Sequence, residues 1–230
     1  MIHQLLKLWG ASCPAGRELT QNDKSLPTMH VHEELMDLWG EKLISNQTLF
    51  KWYEDRYSTS KHLLTLYSWI RGTRAKHIVE IGFGRSSFVL ARAACENGGQ
   101  FTTVDKRDFS YLFSNEERKN SHLLLGYSDE LWKSLEYKNQ KIDFAFLDYF
   151  SDPKCSAAFC AKEISECIKH LAPGGSFAIH DSIEIIYPIS QIVKKVAEEN
   201  HLELITFPYN YGLSLFRIPG GSIQDSWLKK

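Results

Sequence analysis

From Lys76 onward the chain repeats one pattern: a short apolar run closed by a glycine or an acid, then a stretch with helical spacing. The runs are His77 to Ile81 before Gly82, Gln100 to Val104 before Asp105, Ser121 to Leu125 before Gly126, Ile142 to Leu147 before Asp148, and Ser176 to Ile179 before His180-Asp181. Helices are predicted at 87–96, 155–171 and 185–199. Apolar strands alternating with helices require a parallel sheet covered on both faces. Right-handed crossovers restrict it to a doubly wound topology. The last two runs, 202–208 and 212–218, are joined by only Tyr209-Asn210-Tyr211. So short a link permits an antiparallel hairpin and no parallel crossover. The expected fold is therefore α/β: a doubly wound, mostly parallel seven-stranded sheet with an antiparallel strand in its C-terminal hairpin.

Residues 1–74 have a different texture, holding four of the six Trp and no convincing strand. Helical spacing appears at 30–45, 47–57 and 61–71. This segment is expected to form an N-terminal helical cap on the substrate side of a core at 75–230. Trp39, Trp52, Tyr53, Tyr57 and Trp69 are candidates for an aromatic pocket or for packing, and His30 and His32 for the substrate side or an exposed turn. Trp227 suggests a docking tail, with a second copy of the chain as a partner.

The whole-chain totals exclude classes rather than name one. The 27 Lys+Arg nearly balance the 28 Asp+Glu. A near-neutral chain lacks the attraction on which non-specific nucleic-acid binding depends. Five cysteines, an odd number without C-x-x-C spacing, argue against a disulfide framework or a zinc site. No apolar run nears the roughly 18 residues of a membrane span, and the N-terminus lacks the basic start of a signal peptide. A cytoplasmic protein acting on a small molecule is the expectation.

In such sheets ligands bind beyond the carboxyl ends of the strands. Glu80, Gly82, Gly84, Asp105, Gly126, Ser128, Asp148, His180 and Asp181 fall there. Glycines at 82 and 84 let backbone approach a ligand closely, beside the free N–H groups of a helix start. Ser87 takes the third position of G-x-G-x-x-G, which weighs against a dinucleotide. The Glu80 carboxylate would repel a pyrophosphate and suit a ligand carrying an ammonium or sulfonium group. Asp105, 23 residues after Gly82, has the spacing of an acid that accepts ribose hydroxyls.

Together, Glu80-x-Gly82-x-Gly84, Asp105, Ile142 to Asp148 and Leu171-Ala172-Pro173-Gly174-Gly175-Ser176 resemble the Rossmann-like (class I) S-adenosylmethionine-dependent methyltransferases over about residues 76–218. The terminal hairpin is similar too. The resemblance implies that Glu80, Gly82 and Gly84 hold the methionine part of S-adenosylmethionine. It implies that Asp105 binds the ribose and that Gly126-Tyr127-Ser128 border the adenine, with Ser128 a contact. Ser86, standing where many members have a third glycine, counts with these cofactor-binding residues, as does Asp148. Phe83 and Lys106 are further candidates for the pocket wall.

Asp148 and Asp181 end the fourth and fifth strands. On adjacent strands, about 4.8 Å apart, their carboxylates can meet one cation. This region looks like the metal-dependent catechol-type O-methyltransferases and the antibiotic-sugar O-methyltransferases. That likeness implies Mg²⁺ or another divalent cation, with His180 or Ser182 in the third ligand position. Metal-free members also carry an Asp at the fourth strand end, and Asp181 can cap a helix. His180 is alternatively a general base. The expected reaction is methyl transfer to a hydroxyl of a small-molecule acceptor, with His180 and Asp148 catalytic. The alternatives are a metal-independent N-methyltransferase, a nicotinamide-dependent oxidoreductase and a non-catalytic binding module. No membrane and no nucleic acid is expected as partner; the chain lacks an Asn/Asp-Pro-Pro-Tyr/Phe motif.

Overall fold

The computed structural model describes residues 59–108, 113, 115–149 and 155–219. The expectations for the two earlier cap helices, for His30, His32, Trp39, Trp52, Tyr53 and Tyr57, and for Trp227 fall outside them.

A 3-10 turn at Thr59–His62 leads into α1, Leu63–Thr73. Then follow β1 (His77–Ile81), α2 (Arg85–Glu96), β2 (Gln100–Asp105), α3 (Asn115–Asn120), β3 (Ser121–Leu125), α4 (Ser128–Tyr137) and β4 (Ile142–Leu147). The chain continues through α5 (Ala157–His170), β5 (Leu171–His180), a second 3-10 turn (Pro188–Gln191), α6 (Val193–Glu199), β6 (Glu203–Phe207) and β7 (Leu213–Arg217). All seven strands make one sheet in the order β3-β2-β1-β4-β5-β7-β6. Pairing is parallel from β3 through β5, while β7 is antiparallel to both β5 and β6. The expected mostly parallel sheet with one antiparallel hairpin strand is the fold observed.

The central strands are buried along nearly their whole length because helices cover both faces. Phe101, Phe144, Phe146, Phe177 and Phe216 are fully enclosed. Phe177 and Phe216 stack with centroids 4.5 Å apart, and so seat β7 against β5. Ser156 starts α5 by accepting the Phe159 N–H at 3.1 Å, satisfying a donor that the first helical turn leaves free.

Three elements differ from the expected boundaries. β5 begins at Leu171, because Ile142 pairs with Leu171 before Pro173-Gly174-Gly175 shifts the register, and pairing resumes at Phe144 with Ser176. The helix expected over 185–199 is divided: Pro188 disfavours helical geometry in the residue before it, so a 3-10 turn starts there and α6 only at Val193. α1, expected over 61–71, spans Leu63–Thr73 and lies against α2, with Leu63, Leu66 and Ile70 buried. Its Tyr67 bonds Glu96 and its Arg71 bonds Asn97. Trp69 donates to Ser176 Oγ at 2.8 Å, so this indole braces α1 on β5.

The strand order positions the site. The chain runs outward from β1 to β2 and β3, then returns to β4 on the other side of β1. Successive connections therefore leave β1 and β4 in opposite directions, which opens a crevice at their carboxyl ends. Ile81 lies level with Val104 and Leu147, and Leu147 with Ile179. Gly82, Asp105, Asp148 and His180 consequently emerge along one edge.

Candidate active site at the strand ends

A cleft of about 510 Å³ occupies this edge, within the size range of small-molecule sites. Gly82, Asp105, Gly126, Ser128 and Asp148 line it together. Gly82 has φ +97°, and a Cβ there would lie 2.4 Å from the Asp148 carbonyl oxygen. Only glycine lets β1 turn this close to β4. Both Asp105 carboxylate oxygens accept backbone N–H groups, Oδ2 from Phe83 at 3.0 Å and Oδ1 from Arg107 at 2.9 Å. That fixes the carboxylate at the rim while each oxygen keeps a lone pair. Phe83 and Lys106 also line the cleft, and Lys106 Nζ lies 5.0 Å from the centroid of the Tyr127 ring.

Glu80 is placed differently from the expectation of a carboxylate open to a cationic ligand. It is wholly buried, and with Gly84 and Ser86 it is absent from the cleft wall. Its oxygens accept from Ser86 at 2.6 Å, from Ser87, and from Thr103 at 3.0 Å. Ser87 Oγ also accepts the Gly84 N–H at 3.0 Å. The serines found where a third glycine was considered thus tie the first turn of α2 to β1. Burial pushes the Glu80 carboxyl up to about 8, against the lowering effect of its three hydroxyl donors.

Behind the Asp148 wall of the cleft, Asp148, His180 and Asp181 present ligand-capable atoms all within 4.8 Å of one another. His180 Nδ1 lies 3.0 Å from Asp148 Oδ1 and 3.4 Å from Asp181 Oδ1. Its Nε2 lies 2.9 Å from the Asn210 carbonyl oxygen, in the turn between β6 and β7. A carbonyl only accepts, so Nε2 carries a proton. Burial lowers the pKa of this imidazole, but the Asp148 charge and hydrogen bond, helped by Asp181, outweigh it and lift it to about 9. His180 is therefore an imidazolium near neutral pH. In the neutral form, with Nε2–H held by the Asn210 carbonyl, the lone pair available to a base lies on Nδ1. Asp148 is the trio's open member, with its side chain 22% exposed against 5% for His180 and 8% for Asp181. Ser182, the other candidate third ligand, is engaged by the Ser214 hydroxyl at 2.8 Å.

Sequence reasoning missed several neighbours. His62 is buried, with Nε2 2.7 Å from the Tyr209 carbonyl and its ring edge-on to His180 at 5.6 Å. Burial and the His180 charge hold it down at about 4, so it is neutral. Tyr149, Cys155 and Phe159 also line the cleft. Tyr149 Oη donates to Glu163 at 2.7 Å, and Trp132 Nε1 donates to the same oxygen at 3.0 Å. Glu163 had a usable signal, since it lies on the α5 face shared by Cys160, Ile164 and Cys167. The His62 contact had none, because its partner is a backbone carbonyl.

Residues 79–182 match a family model described as a methyltransferase domain. An O-methyltransferase from Bacillus cereus, solved with SAH, is 11% identical; the alignment covers 95% of this chain and 100% of that one, with a TM-score of 0.56. A methyltransferase from Geobacter sulfurreducens is 16% identical, with coverage of 95% and 96% and a TM-score of 0.53. At such identities the likeness concerns the fold. No curated protein matches the chain. The matched stretch runs from β1 to just past β5, and the strand order around it is that of the Rossmann-like α/β methyltransferase fold.

Proposed function

We propose that the chain transfers a methyl group from S-adenosylmethionine to a hydroxyl oxygen of a small-molecule acceptor. The observation that carries this reading is the arrangement along the cleft, with Asp105 beside the Gly82 turn and the Asp148–His180–Asp181 trio beyond. Asp105 keeps lone pairs for the ribose hydroxyls, and Gly82 lets backbone lie against the methionine part. Ser128 and Tyr127 border the base. Glu80 acts from behind, by holding the first turn of α2.

Transfer is an in-line displacement. The acceptor oxygen bonds to the methyl carbon as the carbon–sulfur bond breaks, and that electron pair returns to sulfur. The donor is already activated, so alignment supplies much of the rate. The hydroxyl proton passes to Asp148, the trio's open carboxylate, and from there to solvent. With no ion bound, His180 holds Asp148 in place and balances its charge. Two carboxylates and an imidazole suit a divalent cation, Mg²⁺ or another, which when bound would lower the acceptor's pKa.

Calorimetric titration tests the donor reading. S-adenosylmethionine and S-adenosylhomocysteine should bind with one-site stoichiometry, and NAD(P) should not. Asp148→Ala and Asp181→Ala should keep donor binding while losing turnover in an acceptor screen. Full turnover of both variants in EDTA would remove the trio from the mechanism. No helix of the described residues is long and apolar enough to cross a membrane. A cytoplasmic enzyme without nucleic-acid or membrane partners, self-associating through the Trp227 tail, completes the proposal.

A further inference from the structure

Resting on the cation reading above, we propose that this site selects a nitrogen-tolerant transition ion such as Co²⁺ over Mg²⁺. His180 Nδ1 would be the third ligand, and the turn between β6 and β7 would be the outer shell that aims it. A bare pair of acids would not distinguish these ions; the added observation is how the imidazole is held.

The imidazole has one direction left to it. Nε2–H is committed to the Asn210 carbonyl at 2.9 Å, so the coordinating atom can only be Nδ1. A histidine ligand characteristically donates its other ring N–H to a carbonyl or carboxylate, which fixes the ring and raises the basicity of the ligating nitrogen. The spacing is also right. Donor atoms roughly 2.0–2.2 Å from one ion stand about 3.0–3.5 Å apart at octahedral or tetrahedral angles. Nδ1 lies 3.0 Å from one carboxylate oxygen and 3.4 Å from the other. The ion would take the place of the Nδ1 proton, which passes to solvent, while Nε2 keeps its own.

The turn is built to hold that aim. Asp181, Asn210 and Tyr211 have φ of 59°, 42° and 67°, left-handed values that non-glycine residues adopt at a cost. They are pinned from both sides: Ile183 N–H donates to the Tyr211 carbonyl at 3.0 Å, and Ser214 Oγ donates to Ser182 Oγ at 2.8 Å. The Tyr209 carbonyl holds His62, which packs on the His180 ring. Two adjacent carbonyls of one strained turn therefore fix both imidazoles. Mg²⁺ prefers oxygen ligands and keeps much of its water, whereas imidazole suits the later first-row ions.

The test uses the full chain, stripped with EDTA and dialysed, titrated separately with CoCl₂, MnCl₂ and MgCl₂. Co²⁺ should bind one site at least about ten-fold more tightly than Mg²⁺, with Mn²⁺ falling between the two. Pulsed EPR of the Mn²⁺ complex should show ¹⁴N coupling. His180→Asn should abolish that coupling and bring the three affinities within about three-fold. If His180→Asn does not fold, the wild-type spectrum decides: bound Mn²⁺ without ¹⁴N coupling overturns the proposal. Mg²⁺ binding as tightly as Co²⁺ overturns it too, as does donor binding with no ion bound. Selective ion binding without binding of S-adenosylhomocysteine supports the selection and counts against the methyl-donor reading, so the two failures are distinct.

Discussion

Glu80 shows how far a residue's type can be read without its surroundings. The sequence places an acid at the end of β1, where a carboxylate suits the cationic donor implied by the resemblance. The structure seals that acid behind the turn, among the hydroxyls of Ser86, Ser87 and Thr103. A carboxyl raised to about 8 in the folded state but ordinary in the unfolded chain favours folding fully below pH 4.5. That contribution declines as pH rises through 8. Glu80→Gln keeps the shape and removes the titration. Its thermal midpoint relative to wild type should therefore climb between pH 5 and pH 8; a constant difference across that window would contradict the buried, raised carboxyl. Tyr149→Phe makes a second test at this scale. It removes the Tyr149 donor from Glu163, leaving the Trp132 indole, and should cost about 1–2 kcal/mol in urea unfolding.

Among elements, the β1–α2 turn and the β6–β7 turn do the positioning, and they were unequally visible. Gly82 and Gly84 advertise the first, because a glycine between an apolar run and a helical stretch marks a sharp turn. Gly82→Ala should be severe: its Cβ would meet the Asp148 carbonyl at 2.4 Å, in a backbone region that side chains rarely adopt. We expect a loss of about 2 kcal/mol or more in denaturant unfolding and loss of donor binding by calorimetry. The second turn was legible as a hairpin, but not as the support of two histidines. That role belongs to the carbonyls of Tyr209 and Asn210, and a carbonyl is the same in every residue. The division of the expected 185–199 helix was foreshadowed by Pro188, whose effect on its neighbour outweighed the apolar spacing around it.

For the whole molecule, β7 joins the hairpin to the sheet by wedging between β5 and β6. The Phe177–Phe216 stack is the core of that junction. Phe216→Ala should cost about 3–5 kcal/mol, read as a lower urea midpoint with an unchanged slope. The loss should be global, because β5 carries both the hairpin and the His180-Asp181 pair.

The sequence by itself determined the alternation of strands and helices, the parallel sheet and the antiparallel hairpin. These follow from local rules: apolar periodicity, punctuation by glycine and acids, and the reach of a three-residue link. It also set five cleft residues at strand ends, since an open α/β sheet binds its ligands there. Only the tertiary structure decided which of those side chains face the cleft. It turned Glu80 inward, brought His62 and the Asn210 carbonyl against His180, and set the Tyr209 carbonyl on His62. It also gathered Asp148, His180 and Asp181 within 4.8 Å. The physical reason is that a strand end fixes where a backbone stops. Where the side chain then points, and whether its proton stays, depends on partners far away in the chain.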